Sequence, residues 1–465
     1  HGMVFSSLVF LFAYLPVVLL MYYLSPLRWR NVVLFAVSLL FYGWGEPVYI
    51  LLMMVSVTSA YAFGFLIERC RDREPEKARR WMLVSVLINL SFLFFFKYYN
   101  FFASILRLPQ IAGLSLPIGI SFYTFQILSY TIDLWRGETA VQRNYIAFGT
   151  YVTLFPQLIA GPIVRYQEID EQLSRRRETI EDFASGVRRF CCGLGKKVLL
   201  GDTLAAGYAY YQNLQLFEPT ALGAWMIMIL YTLHLYYDFS GYSDMAIGLG
   251  RMFGFSFPEN FNYPYIAKSI TEFWRRWHIT LSTWFREYVY IPLGGNRRGK
   301  LKQCRNIAVV WALTGLWHGA NWNFVLWGLY FCVILICEHL FLRRWLEKTP
   351  AVFRHFYTML LVVVSFLIFS YTDLAAGLSC FRALFGVGTV GFSVPVAAYQ
   401  LLRLLPLLAI AAVGSTPWPR LWFARWTARR RPARALVPVL SAMVLVVCVA
   451  YLVDSTFSPF EYLNF

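Results

Sequence analysis

Apolar runs of membrane-spanning length recur along the chain, from residues 5–24 to residues 435–453, and they restrict the fold before anything else does. A run of about 20 apolar residues satisfies its backbone hydrogen bonds in lipid only as a helix or within a closed barrel. No alternating ten-residue pattern of the barrel type is present. The expected fold is all-α and polytopic, with roughly 10–12 membrane segments. Composition agrees: 58% of residues are apolar and 14% charged, against roughly 25% charged in soluble domains. Residues 3–465 read as one membrane-embedded domain, with His1 and Gly2 as an added remnant ahead of Met3. The first run lacks a basic n-region and a small-residue cleavage site, so it reads as a retained span.

The net charge of +17 would suggest nucleic acid in a soluble protein. Here 35 of the 42 Lys and Arg residues fall in six segments, 25–30, 68–80, 162–197, 268–305, 342–354 and 414–434. Basic residues gather on the cytoplasmic side of membrane proteins and face anionic lipid there. No nucleic-acid motif accompanies the charge, so membrane lipid is the expected partner and nucleic acid is not. None of the eight cysteines forms a CxxC pair. Four lie in or beside the basic segments, which argues against structural disulfides.

With all six basic segments inside, parity places the N-terminus, Glu46, the loop 373–396 and the C-terminus outside a multi-pass protein of the cytoplasmic (inner) membrane. No internal repeat is visible, which weakens a transporter reading.

The stretch "TGLWHGANWNFVLWG", Thr314–Gly328, carries one imidazole and no carboxylate. It lies in the 36 residues 306–341 between two basic segments, fewer than two full spans need. A turn at "HGAN" within the membrane profile is expected, walled by protein, with Gly315 and Gly319 allowing the turn and bringing backbone close to the substrate. His318 on such a turn is a candidate for function, because ionisable groups at depth are expensive. The plainer alternative is a structural His donating to a carbonyl.

Residues 233–300 are unusually polar for a membrane chain. His234 and Asp238 stand at i, i+4. "FPENFNYPY" has two Pro and reads as a loop. "SITEFWRRWHITLSTWFREYVYIPL" reads as one amphipathic interfacial helix, capped by Ser269 or Thr271. It places Trp274, Trp277, His278 and Leu281 on one face, with Arg275, Arg276 and Arg286 nearer the other. His234, Asp238, His278 and His318 do not make a metal motif, and no metal is expected. "PLGGNRRGK", 292–300, offers backbone N–H groups with Arg297, Arg298 and Lys300 for donor phosphates. It lacks the P-loop pattern, and a lipid-facing basic loop is the alternative.

The motifs "FPQLIAGPIVRY" (155–166), "YYDFSGYSDMAIGLGRMFGFSFPENFNYPY" (236–265), "FWRRWHITLSTWFREYVYIPLGGNR" (273–297) and "GLWHGANWNFVLWG" (315–328) resemble the membrane-bound O-acyltransferases. "LPIGISFYTFQILSYTIDLWRG" (116–137) and "MVFSSLVFLF" are similar to the alginate O-acetyltransferase branch. The teichoic acid D-alanyl transfer branch shares several of them. The resemblance implies a ring of helices around a central pocket open to both faces. It implies acyl transfer from a cytoplasmic thioester to a hydroxyl, with His318 essential and His278 as the second polar position. It further implies acetyl-CoA as donor substrate, no tightly bound cofactor, an exopolysaccharide as final acceptor, and an extracytoplasmic esterase-like relay protein. His318 is expected as general base, His278 or turn amides as oxyanion donors, Asp238 as orienting partner, and Asn321, Trp274 and Trp317 as substrate contacts. The competing readings are a D-alanyl transfer protein, or a non-catalytic transporter or scaffold of polysaccharide export.

Overall fold

The computed structural model describes residues 3–429 and 431–454; the expected external C-terminus and the residues His1 and Gly2 fall outside the described residues. Every regular element among them is helical. Six helices are long and apolar enough to cross a membrane: Tyr49–Arg71, Pro75–Leu106, Trp322–Lys348, Ala351–Ser370, Pro395–Gly414 and Ala435–Asp454. Two shorter apolar helices, Phe10–Leu24 and Leu374–Ala383, accompany them. The protein is an all-α polytopic membrane protein, as its apolar runs require. Among the described residues no disulfide joins the cysteines.

The described residues form two compact units, the first from 3–191, 242–259 and 452–454, the second from 192–241 and 260–451. In the first unit Phe10 packs on Tyr14, Phe41 and Phe155 with ring centroids 5.5, 6.0 and 6.2 Å apart. Glu178 accepts from the Tyr22 hydroxyl and pairs with Arg30 at 2.6 Å and Arg176 at 3.6 Å. Basic residues from the segments 25–30 and 162–197 thus meet on one carboxylate.

The second unit holds the polar motifs. Its central feature is a hairpin of the helices Lys300–His318 and Trp322–Cys337. The hairpin corrects the length argument. The first limb starts inside the basic segment, at Lys300, and has 19 residues, about 28 Å at 1.5 Å per residue. Lys and Arg are good helix formers whose stems lie along apolar surface while their charges reach water. The helix therefore begins where hydropathy alone stops counting, and a shortened limb is not what places the turn.

A second correction concerns the stretch expected as one amphipathic helix. It is a short helix, Ile270–Trp274, then a break, then a second helix, Ile279–Phe285, that runs on through a π-helical turn, Arg286–Tyr290. The expected cap at the start is present, with the Ser269 hydroxyl accepting from Glu272 N at 2.9 Å.

Candidate active site

The hairpin turn fixes His318. Its Nδ1 lies 2.7 Å from the Thr314 carbonyl, one helical turn back. A carbonyl only accepts, so Nδ1 carries the hydrogen and Nε2 holds the lone pair. Trp317, Trp327 and Phe369 surround the ring at centroid distances of 5.0, 4.8 and 5.6 Å, and 1% of His318 is exposed. Asn321 opens the next helix by accepting from Trp322 N at 2.6 Å through Oδ1.

The glycines act differently from the expectation. A Cβ on Gly315 would stand 2.5 Å from the Phe324 carbonyl, and one on Gly328 would stand 2.5 Å from the Trp311 carbonyl. The pair lets the two limbs touch backbone to backbone, the small-residue contact of membrane helices. Gly319 is extended, with φ 177°; what excludes a side chain there is the Phe324 ring, 2.3 Å from the Cβ position.

His278 sits in the break of the other motif, in the left-handed region at φ +44°. The loop expected in "FPENFNYPY" holds it there. Asn262 N donates to the Arg276 carbonyl at 2.9 Å, and Ile279 N to the Asn260 carbonyl at 3.0 Å. Asn260, fully buried, is the organiser: its Oδ1 accepts from His278 Nδ1 at 3.1 Å and from the Thr280 hydroxyl at 2.9 Å. His278 is therefore also the Nδ1–H tautomer. Burial holds its imidazole well below the usual pKa, and the neighbouring His318 adds to that. In this arrangement the His278 N–H is directed at Asn260, away from the oxyanion role expected of it.

Trp317 stands between the two imidazoles, its ring 5.7 Å from His278 and 5.0 Å from His318. Trp274 packs on Trp311 at 4.6 Å and on Trp327 at 5.6 Å. The structure thus brings His318, His278, Trp317 and Trp274 into one aromatic cluster. A cavity of about 310 Å³ opens beside it, lined by Trp274, Trp311 and Thr314, with Arg275 and Arg286 on its wall. Arg297 and Arg298 are exposed on the following loop, and Lys300 is exposed where the next helix begins. Asn306 pins that loop by donating to the Gly295 carbonyl at 2.9 Å.

Asp238 does not orient His318; the Thr314 carbonyl has that place. Asp238 is fully buried and pairs with Lys197 at 2.6 Å, as Asp202 does. Its neighbour Phe239 meets the His278 ring edge-on at 4.8 Å. His234 Nδ1 lies 2.9 Å from the Gly201 carbonyl. These groups form a buried ionic cluster of their own.

Four residues of this architecture escape sequence reasoning. Asn260 and Thr314 are ordinary polar residues whose roles depend on partners in the fold. Lys197 looked like one charge of a basic segment. Glu338 accepts from Ile270 N, Thr271 N and the Thr271 hydroxyl at 2.7, 2.9 and 2.7 Å, capping the short helix before His278. It did carry a signal, as the sole carboxylate of the apolar run 322–346.

Comparison with known proteins identifies the family. The family model for MBOAT, the membrane-bound O-acyltransferase family, matches residues 137–381. "Probable alginate O-acetylase AlgI" of Pseudomonas aeruginosa is 44% identical over 83% of this chain and 76% of its own length. The "Peptidoglycan O-acetyltransferase" of Helicobacter pylori is 32% identical over 83% of this chain and 81% of its own. The "Teichoic acid D-alanyltransferase" of Bacillus subtilis is 30% identical over 53% and 65%. The matched span contains both imidazoles, the Asn260 loop and the helical hairpin, and the chain belongs to the membrane-bound O-acyltransferase family and is an acyltransferase.

Proposed function

We propose that the protein moves an acetyl group from a cytoplasmic thioester, acetyl-CoA, to a hydroxyl acceptor on the outer side of the cytoplasmic membrane, for O-acetylation of an exopolysaccharide. The O-acetyl relatives match more of the chain than the D-alanyl one, which favours acetyl. The observation that carries the mechanism is the His318 tautomer: Nδ1–H is held by the Thr314 carbonyl, so Nε2 is the proton acceptor.

The steps follow from that. The acceptor hydroxyl oxygen attacks the thioester carbonyl carbon while His318 Nε2 takes the hydroxyl proton. The tetrahedral intermediate then expels sulfur, and His318 returns the proton to it, giving ester and free thiol. Backbone N–H groups of the turn and the Asn321 amide are the oxyanion donors in this reading. The cavity with Arg275 and Arg286 on its wall supports entry of the donor's thioester arm, while Arg297, Arg298 and Lys300 meet its phosphates. A long polysaccharide requires an extracytoplasmic relay protein that takes the acetyl group onward.

The test is transfer from radiolabelled acetyl-CoA by purified protein. His318→Ala is expected to lose roughly 10²–10⁴-fold in rate, and His318→Gln to lose nearly as much. Gln keeps a hydrogen-bond donor but takes no proton, so retained activity in His318→Gln would reduce His318 to a structural role.

A further inference from the structure

A second cavity in the second unit lies apart from the two imidazoles. It measures about 510 Å³ and lies among residues 229–233, the first half of the span Ala351–Ser370 and the last turn of the span Pro395–Gly414. Leu233, Met359 and Val363 wall its length, and His355, Ser415 and Thr416 gather at one end. His355 lies just inside the start of one span and Ser415 just past the end of the other, so the polar end of the groove coincides with the ends of both helices. His355 Nδ1 lies 3.2 Å from the Ala267 carbonyl, which leaves Nε2 to the cavity.

The segment that leaves that end is positive: from Ser415 to Arg429 the sequence has three Arg and no Asp or Glu. Thr416 leads into the helix Trp418–Arg429, which buries none of its residues. That helix exposes Trp418 and Trp422, with Trp422 stacked on Trp426 at 6.1 Å, and carries Arg420, Arg425 and Arg429. Exposed Trp with Arg on a short helix beside a span is the composition of an element lying in the lipid interface. Arg354, next to His355, has a buried Nε without a hydrogen-bond partner, and neither Arg354 nor Arg420 makes an ion pair among the described residues.

We propose that this groove is a binding site for an anionic phospholipid of the arginine-rich leaflet. The acyl chain lies along Leu233, Met359 and Val363. The phosphate sits at Ser415, Thr416 and His355, with Arg354 and Arg420 balancing its charge. A free anion would need only the polar end, and a neutral lipid only the apolar length; the continuity of the two selects a lipid that is both apolar and anionic.

The experiment compares full-length protein saturated in mixed micelles with phosphatidylglycerol, phosphatidylcholine or inorganic phosphate, read by native mass spectrometry and thermal unfolding. Phosphatidylglycerol is expected to be retained over phosphatidylcholine and to raise the unfolding temperature, with phosphate alone doing neither. Arg354→Gln and Arg420→Gln are each expected to weaken phosphatidylglycerol retention roughly five-fold. Val363→Trp fills the groove and is expected to abolish retention while acetyl transfer in detergent persists. Should Val363→Trp fail to fold, Ala412→Leu, at the groove wall, gives the same reading. Equal retention of the two lipids by wild type, unchanged retention in the filled groove, or stabilisation by phosphate alone would each overturn the site.

Discussion

Asn260 Oδ1 gathers three donors from a segment far along the chain: His278 Nδ1, the Thr280 amide and the Thr280 hydroxyl. Removing a buried acceptor leaves donors unsatisfied, at about 1–3 kcal/mol. Asn260→Ala is therefore expected to lower the unfolding temperature in detergent and, by releasing the His278 ring, to reduce transfer; Asn260→Asp, which keeps the acceptor oxygen, should retain more stability. None of this was visible in the motif itself. The sequence marked His278 by its aromatic setting, yet the residue that fixes its tautomer lies 18 positions away in a loop. His318 was legible because its turn is written locally, in the run from Thr314 to Asn321, and so was the absence of a nearby carboxylate. Asp238 is the complementary case: a buried Lys recruits it, and Lys197 in sequence is one cation among many.

The hairpin and the broken helix show two ways in which apolar patterning misleads. Hydropathy discounts Lys300–Arg305, although these residues are helical and extend the first limb to its full length. Amphipathic period, conversely, runs on through Arg275–His278, where the backbone turns because the Asn260–Asn262 segment bonds to it. Period reports which faces are apolar and is silent on whether a distant loop interrupts the axis. The helix–helix contact at Gly315 and Gly328 gives a sharp expectation. Gly315→Ala forces a Cβ to 2.5 Å from the Phe324 carbonyl, so the limbs must separate. Activity should fall together with thermal stability, since His318 sits one turn further along. A Gly315→Ala protein with wild-type melting and turnover would place the limbs further apart than described. Glu338→Ala should likewise lower the melting temperature, because it uncaps the helix that precedes His278.

At the scale of the whole molecule, charge sets the orientation. The meeting of Arg30 and Arg176 on Glu178 joins two basic segments that the charge rule assigns to the same side. Cysteine introduced at Ser174 in cells is expected to resist an impermeant external reagent, and cysteine at Gly388 to react with it, both in a background lacking the exposed Cys192. Labelling of Ser174→Cys from outside would invert the topology and with it the side from which the donor enters. Neutralising Arg297, Arg298 and Lys300 together should raise KM for acetyl-CoA more than it lowers kcat; an unchanged KM would assign that loop to lipid contact. One feature also sets the fold against its own chemistry. His278 is a side-chain-bearing residue in the left-handed region, a conformation that costs roughly 1–2 kcal/mol outside glycine. His278→Gly should then give up the imidazole while relaxing the backbone, and melt at a higher temperature than His278→Ala though neither supports normal turnover. A library selected for heat resistance alone would drift toward glycine at this position, and one selected for turnover would drift back.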